Sequence, residues 1–205
     1  VIDYDGVLAV KPFDLNLKIN IDNYKFFKTS NIITILNELI KTGLLFNENI
    51  SVNTSIISNS KLKNKIFQNI NINFNIINGK INFNKTRLIN KKIGSLELER
   101  SNLYLKNDTM ILNTDIIIDI NNYDELFSLL QTNKKFRKPI KSVRINIDYN
   151  FLINQITFNN IKVNNKKVSD ELLRILEDFN NNNFDNWNKN KRLLNILFES
   201  YEGEG

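Results

Sequence analysis

With neither His nor Cys among 205 residues, the chemistry open to this chain falls to carboxylates, lysine, hydroxyls and tyrosine. That excludes an imidazole general base, a thiol nucleophile, zinc held by its usual ligands, and any disulfide. Two groups of carboxylates stand out by spacing. Asp3 and Asp5 sit two apart at the start of the chain, and Asp115, Asp119 and Asp124 follow one another in its middle. Paired carboxylates can divide acid and base roles only if the fold brings them together in a cleft. Asp115 and Asp119 fall on the polar side of an alternating stretch and Asp124 opens a helix, so each has an ordinary place. No catalytic set survives this reading, and the chain is expected not to be an enzyme and to need no cofactor or metal.

The opening Val1-Ile2-Asp3-Tyr4-Asp5-Gly6-Val7-Leu8 resembles the first motif of haloacid-dehalogenase-type phosphatases. The resemblance implies Asp3 as nucleophile and Asp5 as acid/base beside Mg²⁺. The later acidic pair of that family is missing, and a clean alternating strand begins at Phe13. The plainer reading is a hairpin, with Asp5-Gly6 as its turn.

The densest basic cluster is Lys134, Lys135, Arg137, Lys138 and Lys141 around Phe136. Such a cluster suits anionic lipid headgroups through charge alone, or it is a solvated loop in a lysine-rich protein. Nucleic acid is not expected as a partner, because Phe13, Phe74, Phe83 and Phe158 fall on apolar strand faces rather than on a stacking surface. The chain carries 28 Lys+Arg against 22 Asp+Glu, a net +6. Its 39 Asn, 31 Ile and 22 Lys against one Ala are the skew that AT-rich codons impose, so neither the charge nor the Asn runs identify a partner.

The elements that must position these residues are mostly strands. Phe13, Leu15, Leu17, Ile19 and Ile21 alternate with polar residues, which is the pattern of a strand with one dry and one wet face. The same rhythm returns at Ile50 to Ile56, at Ile70, Ile72, Phe74 and Ile76, and after Asn78-Gly79 at Ile81 and Phe83. An Asn-Gly pair between alternating runs predicts a hairpin. Further runs lie at Leu96 and Leu98, Leu103 and Leu105, Met110 to Ile120, Val143 to Tyr149, Ile156 and Phe158, and Ile161 and Val163.

Four stretches have helical spacing: one after Ser30 or Asn31 up to Gly43, one after Asn121 or Asn122, one capped by Ser169, and one over 191–201. The fold class expected is mainly β, a β-rich α+β protein: an antiparallel, curled, amphipathic sheet with a few covering or terminal helices. The domain reading is one β-rich region over 1–179, with two sub-sheets breaking near 44–65 as an option, an Asn-rich linker over 180–190, and a C-terminal helix and tail over 191–205. Each strand buries large aliphatics worth about 1.5–3 kcal/mol apiece, so the dry face needs a cover. That cover is a second sheet, the helices, or something that is not protein.

Several stretches together resemble the C-terminal region of the AsmA family of bacterial envelope proteins: Asn78-Gly79-Lys80-Ile81-Asn82-Phe83, Ile93-Gly94-Ser95-Leu96-Glu97-Leu98, Ser101-Asn102-Leu103-Tyr104-Leu105, and the run from Leu112 to Ile120 into 121–132. The likeness covers about 45–200 and rests on a rhythm of amphipathic strands rather than a catalytic signature. It implies a periplasmic protein anchored in the inner membrane, similar to bridge-like lipid-transfer proteins and tied to lipid transport and outer-membrane assembly. Lipid acyl chains, phospholipid first, would be the partner. The chain opens on Val1, so an anchor is expected upstream. Ile70, Ile72, Phe74, Leu112, Ile116 and Ile118 are the candidates for an apolar groove, and Lys134, Lys135, Arg137 and Lys138 for headgroup contacts. The competing expectation is a structural or interaction β-domain that seals its core against itself, with a phosphatase fragment as a remote third.

Overall fold

The computed structural model describes residues 2–22, 42–59, 66–107, 109–153, 155–177 and 187–200. The expected helix between Ser30 and Gly43 lies outside these residues, apart from Thr42 and Gly43 at its end, as does most of the expected linker.

The fold is mainly β. Among the described residues eleven strands form one sheet: β1 (Ile2–Val10), β2 (Phe13–Asp22), β3 (Ile50–Asn59), β4 (Asn69–Ile77), β5 (Lys80–Asn82), β6 (Arg87–Asn90), β7 (Gly94–Lys106), β8 (Thr109–Ile120), β9 (Ser142–Asn150), β10 (Gln155–Val163) and β11 (Lys166–Lys167). They lie in chain order, with β6 completing the row between β4 and β7 beside β5. Chain order is what short hairpin connections produce. Within the stretch 44–65, β3 pairs with β2 on one side and β4 on the other.

One pairing departs from the antiparallel expectation. β2 and β3 run parallel, from Phe13 opposite Ile50 to Asp22 opposite Asn59. Residues 23–49 separate them, a connection long enough to return the chain to the starting end of the sheet, which a two-residue turn cannot do.

The alternation read from each strand holds across the whole sheet because the registers keep like with like. Leu15 stands opposite Val52, Val52 opposite Ile76, Ile76 opposite Ile81, and Ile81 opposite Leu103. From there Leu103 faces Leu112, Leu112 faces Tyr149, and Tyr149 faces Ile156. A slip of one residue anywhere would have turned a strand's aliphatics to water. The other face is dominated by polar side chains, with amides bridging strands: Asn53 donates to Asn16 at 3.1 Å, Ser55 to Asn71 at 2.9 Å, and Asn69 to Asn59.

The Asn78-Gly79 hairpin forms as predicted, with both residues at positive φ of 49° and 71°. The first hairpin does not form at Asp5-Gly6. β1 runs through both residues and turns at Lys11-Pro12. Gly6 lies so close to β2 that a Cβ there would stand 2.4 Å from the Asn16 carbonyl oxygen, so glycine here serves strand packing.

Two pairs of short runs merge into single bulged strands. Leu96 to Leu105 is one strand whose register shifts between Glu99 and Asn102, and Ile156 to Val163 is another, shifting between Phe158 and Asn160. Phe83 falls just past β5 rather than within a strand. There the chain steps to β6, and buried polar groups satisfy the step. Ser101 accepts from the Phe83 amide at 2.6 Å, and Thr86 accepts from the Asn73 amide at 3.0 Å.

Three helices are described: α1 (Tyr123–Leu130), α2 (Asp170–Glu177) and α3 (Trp187–Ser200). Asn122 caps α1 by accepting from the Glu125 amide at 3.1 Å, and Ser169 caps α2 through the Leu172 amide at 3.3 Å. α3 begins four residues before the expected Lys191, inside the stretch read as linker. Asn is a weak helix former, so the extra turn reflects packing rather than propensity.

Candidate functional site

The apolar face is covered at two ends by different means. At one end, Val52, Ile76, Ile81, Leu103 and Met110 form a buried cluster, closed by Leu45 and Phe46 from a 3₁₀ turn (Leu44–Phe46), by Phe83, and by Phe151. Phe74 and Leu112 pack against it, with Phe74 and Phe83 in a tilted ring contact at 5.5 Å.

At the other end the helices stand over the sheet. Phe127 and Leu126 of α1, Leu172 and Leu176 of α2, and Phe198 of α3 pack in one cluster with Ile120, Ile161 and Val163 from β8 and β10. Phe127 is fully buried and takes Phe198 edge-on at 5.1 Å and 87°. α3 is pinned through Asn195, which accepts from the Thr132 hydroxyl and donates to the Leu130 carbonyl.

Between sheet and helices remains a cavity of about 340 Å³. Its floor is Leu96, Ile118, Ile120, Val143, Ile145, Ile161 and Val163, its roof is drawn from all three helices, and Ile66 and Phe67 stand at one side. This volume lies at the lower end of the range for small-molecule sites. Almost no polar atom faces it. A lining of this kind favours a hydrocarbon over a polar ligand. Gly94 borders the cavity at φ 152°, and a Cβ there would stand 1.9 Å from the Asp119 carbonyl oxygen, so the β7–β8 pairing at this margin depends on glycine.

The six residues predicted to line a groove share one face but not one cavity. Ile118 lines the cavity. Ile116 follows it along β8, half-buried between Leu98 and Ile145. Phe74 and Leu112 belong to the closed end, Ile70 is buried, and Ile72 is 37% exposed. The remaining cavity residues come mostly from helix stripes and from β9 and β10. Their signal was present as the inward positions of those elements, but which faces meet is a tertiary property.

The basic cluster sits on a 3₁₀ turn (Lys134–Phe136) after α1. Lys134 and Lys135 are exposed, with the Lys135 ammonium 4.5 Å from the Phe136 ring centre. Arg137 turns back, its Nε donating to the Thr132 carbonyl at 3.0 Å. Arg137 and Lys138 are both partly buried.

Asp3 and Asp5 lie mid-strand on β1, exposed, rather than at a strand end facing a cleft. Asp115 is buried on the polar face. It pairs with the Arg100 guanidinium, and its Oδ1 accepts from Asn146 at 2.6 Å. Asn159 then bridges Asn146 and Asp148, and Asn113 donates to Asp148 at 2.8 Å. This network joins β7 to β10, and amides or a guanidinium occupy its carboxylates. Among the described residues no group of three or more acidic side chains is placed to hold a metal, and no helix is long and apolar enough to cross a membrane.

No protein-family model, curated protein or solved structure matches this chain.

Proposed function

We propose that this protein is a non-catalytic lipid-binding segment that holds a hydrocarbon chain between its sheet and its helices. The observation that carries this reading is the apolar cavity of about 340 Å³ under α1, α2 and α3. A lipid acyl chain is the ligand such a lining selects, because water there would find no hydrogen-bond partners and any polar group entering it would lose its own.

The apolar face also continues past the cavity. Ile72 and Leu105, with Tyr4, Leu8 and Phe13 on the first two strands, leave it partly open. Exposed apolar surface of this extent suits contact with apolar partners. The sequence resemblance to the AsmA family adds a setting, the bacterial periplasm with an anchor in the inner membrane, and a role in lipid transport and outer-membrane assembly. Lys134 and Lys135, exposed on the turn after α1, would supply the positive charge for an anionic headgroup.

The test is native mass spectrometry of protein purified from membranes, combined with displacement of a fluorescent fatty acid. Bound lipid released on denaturation, and saturable probe binding, are expected. Protein that carries no lipid and fails to bind the probe would overturn the reading. It would favour the second one, a structural or interaction β-domain, which the closed cluster around Ile76 and Ile81 supports.

A further inference from the structure

The two edges of the sheet are finished differently. At the far edge β11 has only two residues, both lysines, which is a common way of keeping an edge from pairing. At the near edge β1 is nine residues long, carries no lysine, proline or bulge, and has no partner strand on its outer side among the described residues. Its apolar side chains are exposed on both faces: Tyr4 at 78%, Leu8 at 57% and Val10 at 71% on the apolar side, and Val7 at 71% on the other. A row of free amides and carbonyls along such an edge is met best by another extended strand.

β1 is complementary to itself. If two copies pair antiparallel about Gly6, the whole strand is used, Tyr4 stands opposite Leu8 of the second copy, and Asp3 and Asp5 stand opposite Ala9 and Val7. No carboxylate faces another. Sliding by two residues in one direction sets Asp5 against its own copy, and sliding the other way drives the pairing into the Lys11-Pro12 turn. Even-numbered residues stay opposite even-numbered ones, so the two apolar faces join on one side.

We propose that β1 is a dimerisation edge, pairing antiparallel with β1 of a second copy about Gly6 to give one continuous sheet. The two-fold arrangement closes on itself, because both outer edges of the dimer are then the lysine-bearing β11. A contact made by one strand per copy is small, so the association belongs in the micromolar range.

The register supplies a charge test at Val7, whose exposure leaves the monomer indifferent to substitution. Val7→Asp places two pairs of like charges across the interface and Val7→Lys places two pairs of opposite charges, each beside Asp5. Sedimentation velocity across micromolar to near-millimolar protein should show a monomer–dimer equilibrium for the wild type. Dissociation should rise about tenfold for Val7→Asp and fall for Val7→Lys, with both variants melting as the wild type does. A monomer at every concentration, open-ended oligomers, or two variants that shift the equilibrium in the same direction would overturn the proposal.

Discussion

Thr132 and Asn195 lie 63 residues apart and form the tie that holds the last helix over the cavity. The Thr132 hydroxyl donates to Asn195 Oδ1 at 2.6 Å, and the same amide returns a hydrogen bond to the Leu130 carbonyl at 3.0 Å. Thr132 is 3% exposed, so water cannot replace a lost partner. Asn195→Ala is expected to destabilise the protein by about 1–3 kcal/mol in urea denaturation and to speed proteolysis within α3. Unchanged proteolysis would mean that the ring contact between Phe127 and Phe198 alone secures the helix.

Filling the cavity should separate ligand binding from stability. Ile118→Phe adds volume where space already exists, so it is expected to weaken fatty-acid probe binding by about tenfold while leaving the melting temperature unchanged or higher. Phe74→Leu, in the closed cluster, should leave probe binding unaffected. The measurement is probe titration of both variants beside thermal melts.

Arg100 occupies the bulge of β7 at φ 49° and sets its guanidinium on the buried Asp115. Arg100→Ala leaves that carboxylate with Asn146 and should cost about 1–2 kcal/mol, reduced from a fully buried pair because Arg100 is largely exposed. Arg100→Gly loses the same pair but relieves the left-handed backbone, so it should be about 1 kcal/mol less damaging than alanine. Urea midpoints of the two variants separate the ion pair from the backbone.

Burial raises the Tyr149 hydroxyl above its usual value of 10.0. The unfolded chain therefore ionises first as pH rises, and below pH 10 the residue's contribution to stability is fully present. Stability is expected to fall as pH climbs past 10 toward the raised value, and Tyr149→Phe should flatten that part of the profile. Equal alkaline slopes for the two proteins would contradict the assignment.

Much of the sheet was legible residue by residue. The alternation at Phe13 to Ile21 and at Met110 to Ile120 names the dry face directly, because the side-chain period of a strand leaves no other choice. Asn78-Gly79 was legible because few residue pairs accept positive φ twice. Asp5-Gly6 carried the same local signal and misled, since Gly6 answers the close approach of Asn16 rather than a turn. The bulges at Arg100 and Asn159 had no local signature. A bulge is a mismatch between two strands, and neither strand contains it alone.

The cavity was least visible of all. Leu130 and Leu176 each show as inward positions on short helices, yet their spacing is equally consistent with a helix that fills its contact completely. Sequence alone determined the faces, the turn at Gly79, the cap at Ser169, a cap at Asn121 or Asn122, and the exclusion of imidazole and thiol chemistry, because each depends on neighbours within a few residues. Tertiary structure alone decided that β2 and β3 run parallel, that all the dry faces join on one side, and that three helices rest on β8 to β10 without filling the space beneath them. Those outcomes depend on distances between residues far apart in the chain, which side-chain type and spacing do not encode.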